Sequence, residues 1–181
     1  CISWAWNDDR VQHGTFDMDK YQILKKDDDA DYSLLKRFCG ELSKADLVVG
    51  QNSENFDLPT LTSRIIKYRL PPLPEILHDD MYLQTRKKVR HLSHKLDDVS
   101  EFLGNGRKEE HGNGMEWWIA IALGNKKILK EMVKYCDGDV EKLRKSYKQQ
   151  LPYVKSKLNM STFIGKACCT QCGSCLLYTY D

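Results

Sequence analysis

Midway along the chain the residues read Leu47-Val48-Val49-Gly50-Gln51-Asn52-Ser53-Glu54-Asn55-Phe56-Asp57. The first four form a short apolar run, which is typical of a buried strand in a parallel sheet. The polar residues after it predict a turn. Apolar residues at helical spacing lie on both sides of this segment: Leu34, Leu35, Phe38 and Leu42 before it, and Leu58, Leu61, Ile65 and Tyr68 after it. A strand between two helices indicates an α/β fold.

The same patterns extend to the rest of the chain. Residues 1–6 are aromatic and branched and are followed by Asn7-Asp8-Asp9, so they predict a strand that enters a hairpin and returns from Val11. We expect a short strand around Ile76 and Leu77, one or two helices between residues 81 and 103, and a compact helix over residues 117–123. A long amphipathic helix should end before Pro152, with a buried stripe of Cys136, Val140, Leu143 and Tyr147. The predicted fold is a mixed sheet flanked by helices.

Composition limits the class of protein. With 181 residues, 41% of them hydrophobic, the chain can form one buried core and a small appendage. We expect a domain over residues 1–155 and a linker with a short tail over residues 156–181. No run approaches the ~20 apolar residues that cross a bilayer, and the start does not resemble a signal peptide. The expected location is therefore intracellular (cytoplasmic), with no membrane partner.

Basic residues cluster in the second half of the chain, although the net charge is only +2. Arg86, Lys87, Lys88 and Arg90 are candidates for contacts to a nucleic-acid backbone. A solvated helix face would show the same pattern. His91 and His94 stand in this segment, which we expect to be helical, and phosphate contact or simple exposure is expected for them rather than metal binding.

Three side chains are candidates for catalysis. Asp57 follows the central strand, where α/β folds bind ligands, although an N-cap role would also suit it. Tyr135 and Asp139 are four residues apart and so share one helical face. Asp137 lies roughly 200° around the helix from Tyr135 and is the weaker candidate. Gly138 costs about 1 kcal/mol in a helix relative to alanine, and we expect a close neighbour or ligand to require it.

These segments resemble motifs of a known family. Residues 52–57 resemble the second motif, and residues 135–139 the third, of the ribonuclease H-like 3′-5′ exonucleases that use four acidic residues and a tyrosine. The proofreading domain of family B DNA polymerases is related to them. Further likeness lies in residues 2–4, 45–50, 95–97 and 114–118. A sister subclass has histidine five positions before the last aspartate, where this chain has Lys134.

The resemblance implies a ribonuclease H-like fold and a two-metal reaction. Four carboxylates would hold two Mg²⁺ or Mn²⁺ ions, with Asp57 and Asp139 among the ligands and Tyr135 orienting the attacking water. Asn52 and Phe56 would contact the nucleic acid, and single-stranded DNA or RNA ends would be the partners. Asp80 could support the site, although a surface or capping role is expected for it.

The family's first motif, Asp-x-Glu on the first strand, has no counterpart on a predicted strand. The spacing occurs once, at Asp139-Val140-Glu141, within the long helix. We therefore expect a sequence truncated at its start, which is inactive or nearly so as given and active when complete. The alternative is a nucleic-acid-binding module that keeps the fold without catalysis.

The tail contains a cysteine cluster. Cys169 and Cys172 form a Cys-x-x-Cys-Gly knuckle, with Cys168 and Cys175 nearby. The pattern predicts the first half of a zinc ribbon whose second half would lie beyond Asp181, so Cys169 and Cys172 are candidate zinc ligands. Free surface thiols are the alternative. A thiol oxidoreductase is less favoured, because no helix follows the Cys-x-x-Cys.

Overall fold

The computed structural model describes residues 1–18, 29–107 and 114–154. The chain opens with the expected hairpin, β1 (Ile2–Trp4) and β2 (Gln12–Gly14), which pair antiparallel with Ile2 opposite Gly14. Asn7 adopts a left-handed conformation in the turn, with φ of 41°. Asparagine tolerates this conformation better than most residues.

The central segment forms the predicted strand between two helices. α1 (Tyr32–Leu42) precedes β3 (Leu47–Gly50), and α2 (Asp57–Tyr68) follows it. β4 (Leu77–Asp80) then pairs parallel with β3, placing Gly50 opposite Asp80. One core cluster joins the helices on this pair through Leu35, Leu42, Leu61 and Ile65.

Four helices complete the described fold, as their periodicity predicted. They are α3 (Met81–Lys88), α4 (Leu96–Phe102), α5 (Gly114–Ala122) and α6 (Lys126–Gln150), the last followed by a short 3-10 turn, Leu151–Tyr153. Gly104 and Gly106 end α4 with positive φ angles. A second core cluster of Ile121, Leu129 and Met132 joins α5 to α6.

The predicted buried stripe of α6 is wrong. Its four residues are only half-buried, whereas the buried ones are Leu129, Met132, Val133, Ser146 and Gln150. The reason is that the middle of α6 packs on a hairpin of two three-residue strands, partly through polar contacts. Arg144, for example, donates to the backbone oxygens of Asn7 and Asp9 at 3.0 and 2.6 Å.

The strands differ from the single mixed sheet that we expected. The described residues form two separate two-stranded sheets, β1-β2 and β3-β4, so β1 and β3 each have one edge that pairs with no described strand. Helix α6 contacts both sheets. It packs on β1, and the hydroxyl of Tyr147 donates to Oδ2 of Asp79 on β4 at 3.4 Å. The architecture is therefore mixed α/β, with α6 as the element that connects the two sheets.

Among the described helices, none combines the length and the apolar character that a membrane span requires.

The tail lies beyond the described residues. The predicted boundary near residue 155 and the cysteine knuckle both fall outside them, so both stay predictions.

Candidate functional site

The site is built around the loop that follows β3, here called the motif loop (residues 51–56). A glycine at its entrance allows the loop to fold back on the strand. A Cβ atom at Gly50 would lie 1.8 Å from Oγ of Ser53, which is buried. The Ser53 hydroxyl in turn lies 3.0 Å from Nε2 of His78 on β4. Close packing at Gly50 thus holds the motif loop against the ends of both parallel strands.

Asp80 fixes the path of the motif loop. Its carboxylate accepts hydrogen bonds from the backbone N–H groups of Asn52 and Glu54, each at 2.9 Å. It also caps α3 by accepting from the N–H groups of Tyr82 and Leu83 at 3.0 and 3.3 Å. Asp80 is 1% exposed, so the expected surface role is wrong, whereas the capping role is confirmed. One buried carboxylate therefore joins the loop after β3 to the helix after β4.

Asn52 turns the motif loop. It has a φ of 60°, a left-handed conformation that asparagine tolerates. Its side-chain oxygen accepts a hydrogen bond from Nδ2 of Asn55 at 2.9 Å. The asparagine that the sequence marks as a site residue thus also has a role in shaping the loop.

Asp57 is the first residue of α2 and its side chain is exposed. The N-cap position belongs to Phe56, so an N-cap role for Asp57 is wrong. Partial removal from water raises the pKa of the Asp57 carboxyl, and the negative charge of Asp80 raises it further, while its own backbone N–H and His78 act in the opposite direction. The Asp57 carboxylate is therefore partly removed from water and lies near the charge of Asp80, close to the carboxyl end of β3.

Phe56 projects from the motif loop. Its side chain is 67% exposed. An exposed aromatic ring beside Asp57 does not anchor the turn, and it is accessible to a ligand.

Tyr135 and Asp139 lie halfway along α6 and are both half-buried. The Tyr135 ring packs edge-on against Trp117 of α5, with centroids 6.3 Å apart. One carboxylate oxygen of Asp139, Oδ1, is buried. The α5–α6 contact thus sets the orientation of the Tyr135 ring.

Asp137 has a different environment from Asp139. Its carboxylate accepts from Oγ of Ser3 at 2.7 Å and lies 2.9 Å from Nδ1 of His13. It therefore attaches α6 to the β1-β2 hairpin. Asp137 and Asp139 point to different sides of α6, as the helical geometry predicts.

The predicted basic contacts lie on and after the last turn of α3. Arg86, Lys87, Lys88 and Arg90 are all exposed. His91 and His94 follow them in a connection without helix, so the expected helix is wrong there. Both imidazoles are half-buried and their centroids lie 5.5 Å apart. Simple exposure of these two histidines is therefore also wrong.

The acids of the site do not form a complete metal centre by themselves. Within the described ranges, no group of three or more His, Cys, Asp or Glu side chains is placed to hold a metal ion. The candidate zinc ligands Cys169 and Cys172 lie outside those ranges. Sequence reasoning missed the link from Asp80 to the motif loop and the packing of Trp117 on Tyr135. An aspartate directly before a helix signals a cap, but no sequence signal showed what else its carboxylate binds.

Comparison with known families agrees with this arrangement. Residues 6–150 match the RNase H superfamily, so the chain belongs to that superfamily. None of the curated proteins matches the chain significantly. Membership supports a nuclease or a nucleic-acid-related function in general, with a nuclease-type hydrolase as the enzyme class.

Proposed function

We propose that this protein is a metal-dependent 3′-5′ exonuclease that hydrolyses phosphodiester bonds at single-stranded DNA or RNA ends. The observation that carries the proposal is the motif loop, which Asp80 holds so that Asp57 lies at the carboxyl end of β3, beside β4. Ligands of α/β folds bind at this edge of the sheet. Superfamily membership over most of the chain supports the same class of reaction.

The chemistry of the donors suits Mg²⁺ or Mn²⁺. Asp57 and Asp139 offer hard carboxylate oxygens, and the raised pKa of Asp57 reflects partial removal from water and the nearby charge of Asp80, which a cation would offset. When bound, two such ions activate water and stabilise the leaving oxygen. Tyr135 would orient the attacking water with its hydroxyl, while Trp117 holds its ring.

The proposed two-metal site uses four acids, of which Asp57 and Asp139 are two; the other two belong to the Asp-x-Glu motif. The free edges of β1 and β3 within the described residues offer backbone groups with which a further strand can pair. We propose that a strand bearing Asp-x-Glu pairs there and completes the site. Asn52 and Phe56 would contact the terminal nucleotides, and Arg86, Lys87, Lys88 and Arg90 the backbone further from the end. A zinc knuckle at Cys169 and Cys172 is proposed as a separate structural element.

The test follows single-stranded oligonucleotides labelled at either end. The chain preceded by an Asp-x-Glu strand is incubated with Mn²⁺ or with EDTA. The proposal expects Mn²⁺-dependent release of mononucleotides from the 3′ end. It also expects Asp57→Asn to abolish release and Tyr135→Phe to slow it roughly 100-fold or more. Internal cuts, or release that persists in Asp57→Asn, would contradict the proposal.

The alternative is a nucleic-acid-binding module without catalysis. The observation that favours it is the incomplete set of acids among the described residues. Binding of a single strand without release of nucleotides, with the added strand and at every Mn²⁺ concentration, would establish this alternative.

A further inference from the structure

A row of aromatic rings lies beside the motif loop. Tyr82 of α3 contacts His94, with centroids 6.2 Å apart. His94 contacts His91 at 5.5 Å, and His91 contacts Phe102 of α4 at 5.3 Å. The row ends at Phe102, which is 73% exposed. A large aromatic side chain is thus held by a neighbouring ring and presented to solvent.

Exposed cations surround this row. Together with the four rings they form what is here called the α3–α4 patch; its cations are Arg86, Lys87, Lys88, Arg90 and Lys95. Across the three described ranges, none of these five forms an ion pair with an acidic side chain. The guanidinium of Arg86 lies over the Tyr82 ring, 5.4 Å from its centroid. The patch therefore carries positive charge that is not balanced by a described carboxylate.

Two of the three acids on α4, Asp97 and Glu101, share a cation, Arg107. Arg107 lies 3.5 Å from Oδ2 of Asp97 and 3.7 Å from Oε2 of Glu101. These contacts reduce the negative charge that Asp97 and Glu101 present next to Phe102. The patch thus stays attractive to a polyanion, because its five cations exceed the one acid of α4, Asp98, that has no ion pair within the described residues.

A hydrogen bond attaches the patch to the motif loop. Nε2 of Gln51, directly before Asn52, donates to the backbone oxygen of His94 at 2.7 Å. Oγ1 of Thr85, a buried residue of α3, lies 3.1 Å from Nδ1 of His94. The rings therefore have a fixed position relative to the loop that leads to Asp57.

We infer that the α3–α4 patch binds single-stranded nucleic acid, with a base stacked on Phe102 and phosphates contacted by Arg86, Lys88 and Arg90. Exposed aromatic rings among cations suit single strands, because unpaired bases offer their faces for stacking and a duplex hides them. The inference rests on the proposed function for the direction of the strand, whose 3′ end would lie at Asp57. It adds a base-binding role for Phe102, whose ring His91 supports, to the backbone contacts.

An acidic protein segment would also be attracted by the cations. It offers no planar base, so it depends on charge and gains little from the Phe102 ring. The contribution of Phe102 therefore separates the two kinds of partner.

The test measures binding of a short fluorescent thymidine single strand by fluorescence anisotropy, in EDTA so that no cleavage occurs. Phe102→Ala should weaken binding roughly 5- to 100-fold, and Phe102→Trp should keep it. Arg90→Glu should weaken binding. It should also make the decrease of the logarithm of the binding constant with the logarithm of salt concentration shallower, by roughly one in slope. Matched controls are Trp118→Ala, which removes a 61% exposed aromatic side chain on α5, and Lys36→Glu, which reverses an exposed charge on α1. Both should bind as the unmodified protein does.

The inference is overturned if Phe102→Ala binds as tightly as Trp118→Ala, or if a duplex or polyglutamate competes as well as the single strand. These outcomes are separate from those for catalysis. Binding that follows the prediction without Mn²⁺-dependent release would refute the exonuclease and leave the patch intact. Release that is unaffected by Phe102→Ala and Arg90→Glu would refute the patch alone.

Discussion

The carboxylate of Asp80 accepts a hydrogen bond of 2.9 Å from the backbone N–H of Asn52, a residue 28 positions earlier in the chain. This bond connects the carboxyl ends of two neighbouring parallel strands, because Asp80 ends β4 and Asn52 follows β3. Since Asn52 also has a left-handed backbone, the bond holds the loop at its sharpest turn. The position of Asp57 depends on this loop.

Replacing Asp80 should loosen the motif loop. In Asp80→Asn the amide oxygen can keep the contacts that Oδ1 makes to Asn52, Tyr82 and Leu83, which leaves an NH₂ group in place of Oδ2. This NH₂ group cannot accept from the N–H of Glu54. A buried donor left without its acceptor costs about 1–3 kcal/mol, so the free energy of unfolding should fall by that amount. Hydrogen exchange measured by NMR should show faster exchange at the Glu54 amide.

Asp79→Asn is the matched control for this change. Asp79 is 0% exposed and its carboxylate accepts from Nε2 of Gln84 at 2.8 Å. Successive residues of a strand point to opposite faces, so Asp79 faces away from the motif loop. Equal acceleration of the Glu54 amide in both variants would show that Asp80 does not hold the loop specifically.

Gly50 should not tolerate a side chain. In Gly50→Ala the new Cβ would meet Oγ of Ser53 at 1.8 Å and its Cβ at 2.6 Å, which should lower the free energy of unfolding by about 1–3 kcal/mol. Adding Ser53→Gly removes both atoms and should recover part of the loss in a double-mutant cycle measured by urea unfolding. If the loss of unfolding free energy in the double variant equals the sum of the losses in Gly50→Ala and Ser53→Gly, the two positions do not clash.

Gly138 should tolerate alanine. We expected a close neighbour or a ligand to require this glycine; among the described residues a Cβ there would meet nothing within 4 Å, so the close neighbour is wrong, and the ligand stays a prediction. Gly138→Ala should raise the free energy of unfolding by about 1 kcal/mol, as for glycine in a helix interior. Gly40 of α1 is equally open and should show a similar gain on Gly40→Ala. A loss at position 138 with a gain at position 40 would contradict the open environment of Gly138.

The pKa of Asp57 should lie above its ordinary value of 3.8, because the carboxyl is partly removed from water and lies near the charge of Asp80. An NMR titration of the side-chain carboxyl carbon measures it directly. Between the pKa of Asp57 in the unfolded protein and its higher pKa in the folded protein, the folded state binds more protons than the unfolded state. The contribution of Asp57 to the free energy of unfolding therefore falls as the pH rises through the folded pKa. Asp80→Asn should lower the pKa of Asp57.

Asp31 is the internal control in the same spectra. Burial would raise its pKa, but hydrogen bonds from Arg64 and Tyr68 outweigh that effect and lower the pKa below 3.8. Its contribution to stability is therefore present above 3.8 and is lost as pH falls through the folded pKa. A pKa for Asp57 at or below 3.8 would contradict its partial removal from water and the influence of Asp80.

The sequence predicts the elements well, because their signals are local. The run Leu47-Val48-Val49-Gly50, the helical spacing around it and the glycines after α4 all lead to the observed strand and helices. The hairpin follows from residues 1–6 and their polar turn. These features depend on neighbours along the chain, which the sequence displays directly.

Long-range contacts could not be predicted in the same way. The sequence favoured Asp139 over Asp137 from helical geometry, yet the partners of Asp137, Ser3 and His13, lie more than 120 positions away. The link from Asp80 to Asn52 and the ring row that ends at Phe102 likewise depend on tertiary packing. The sequence therefore identifies candidate residues for the site, but only the structure shows which residues they contact.

The central claim is tested most directly by comparing Asp139→Asn with Asp137→Asn in the chain that carries an Asp-x-Glu strand. Both changes remove one negative charge from α6, two positions apart, and the measurement is the rate at which Mn²⁺-dependent shortening proceeds from the 3′ end of a 5′-labelled single strand. We predict that Asp139→Asn abolishes shortening and that Asp137→Asn, which keeps an acceptor for Ser3, retains most of it. Shortening by Asp139→Asn at the rate of the unmodified protein would contradict the assignment of Asp139 as a metal ligand and, with it, the proposed exonuclease.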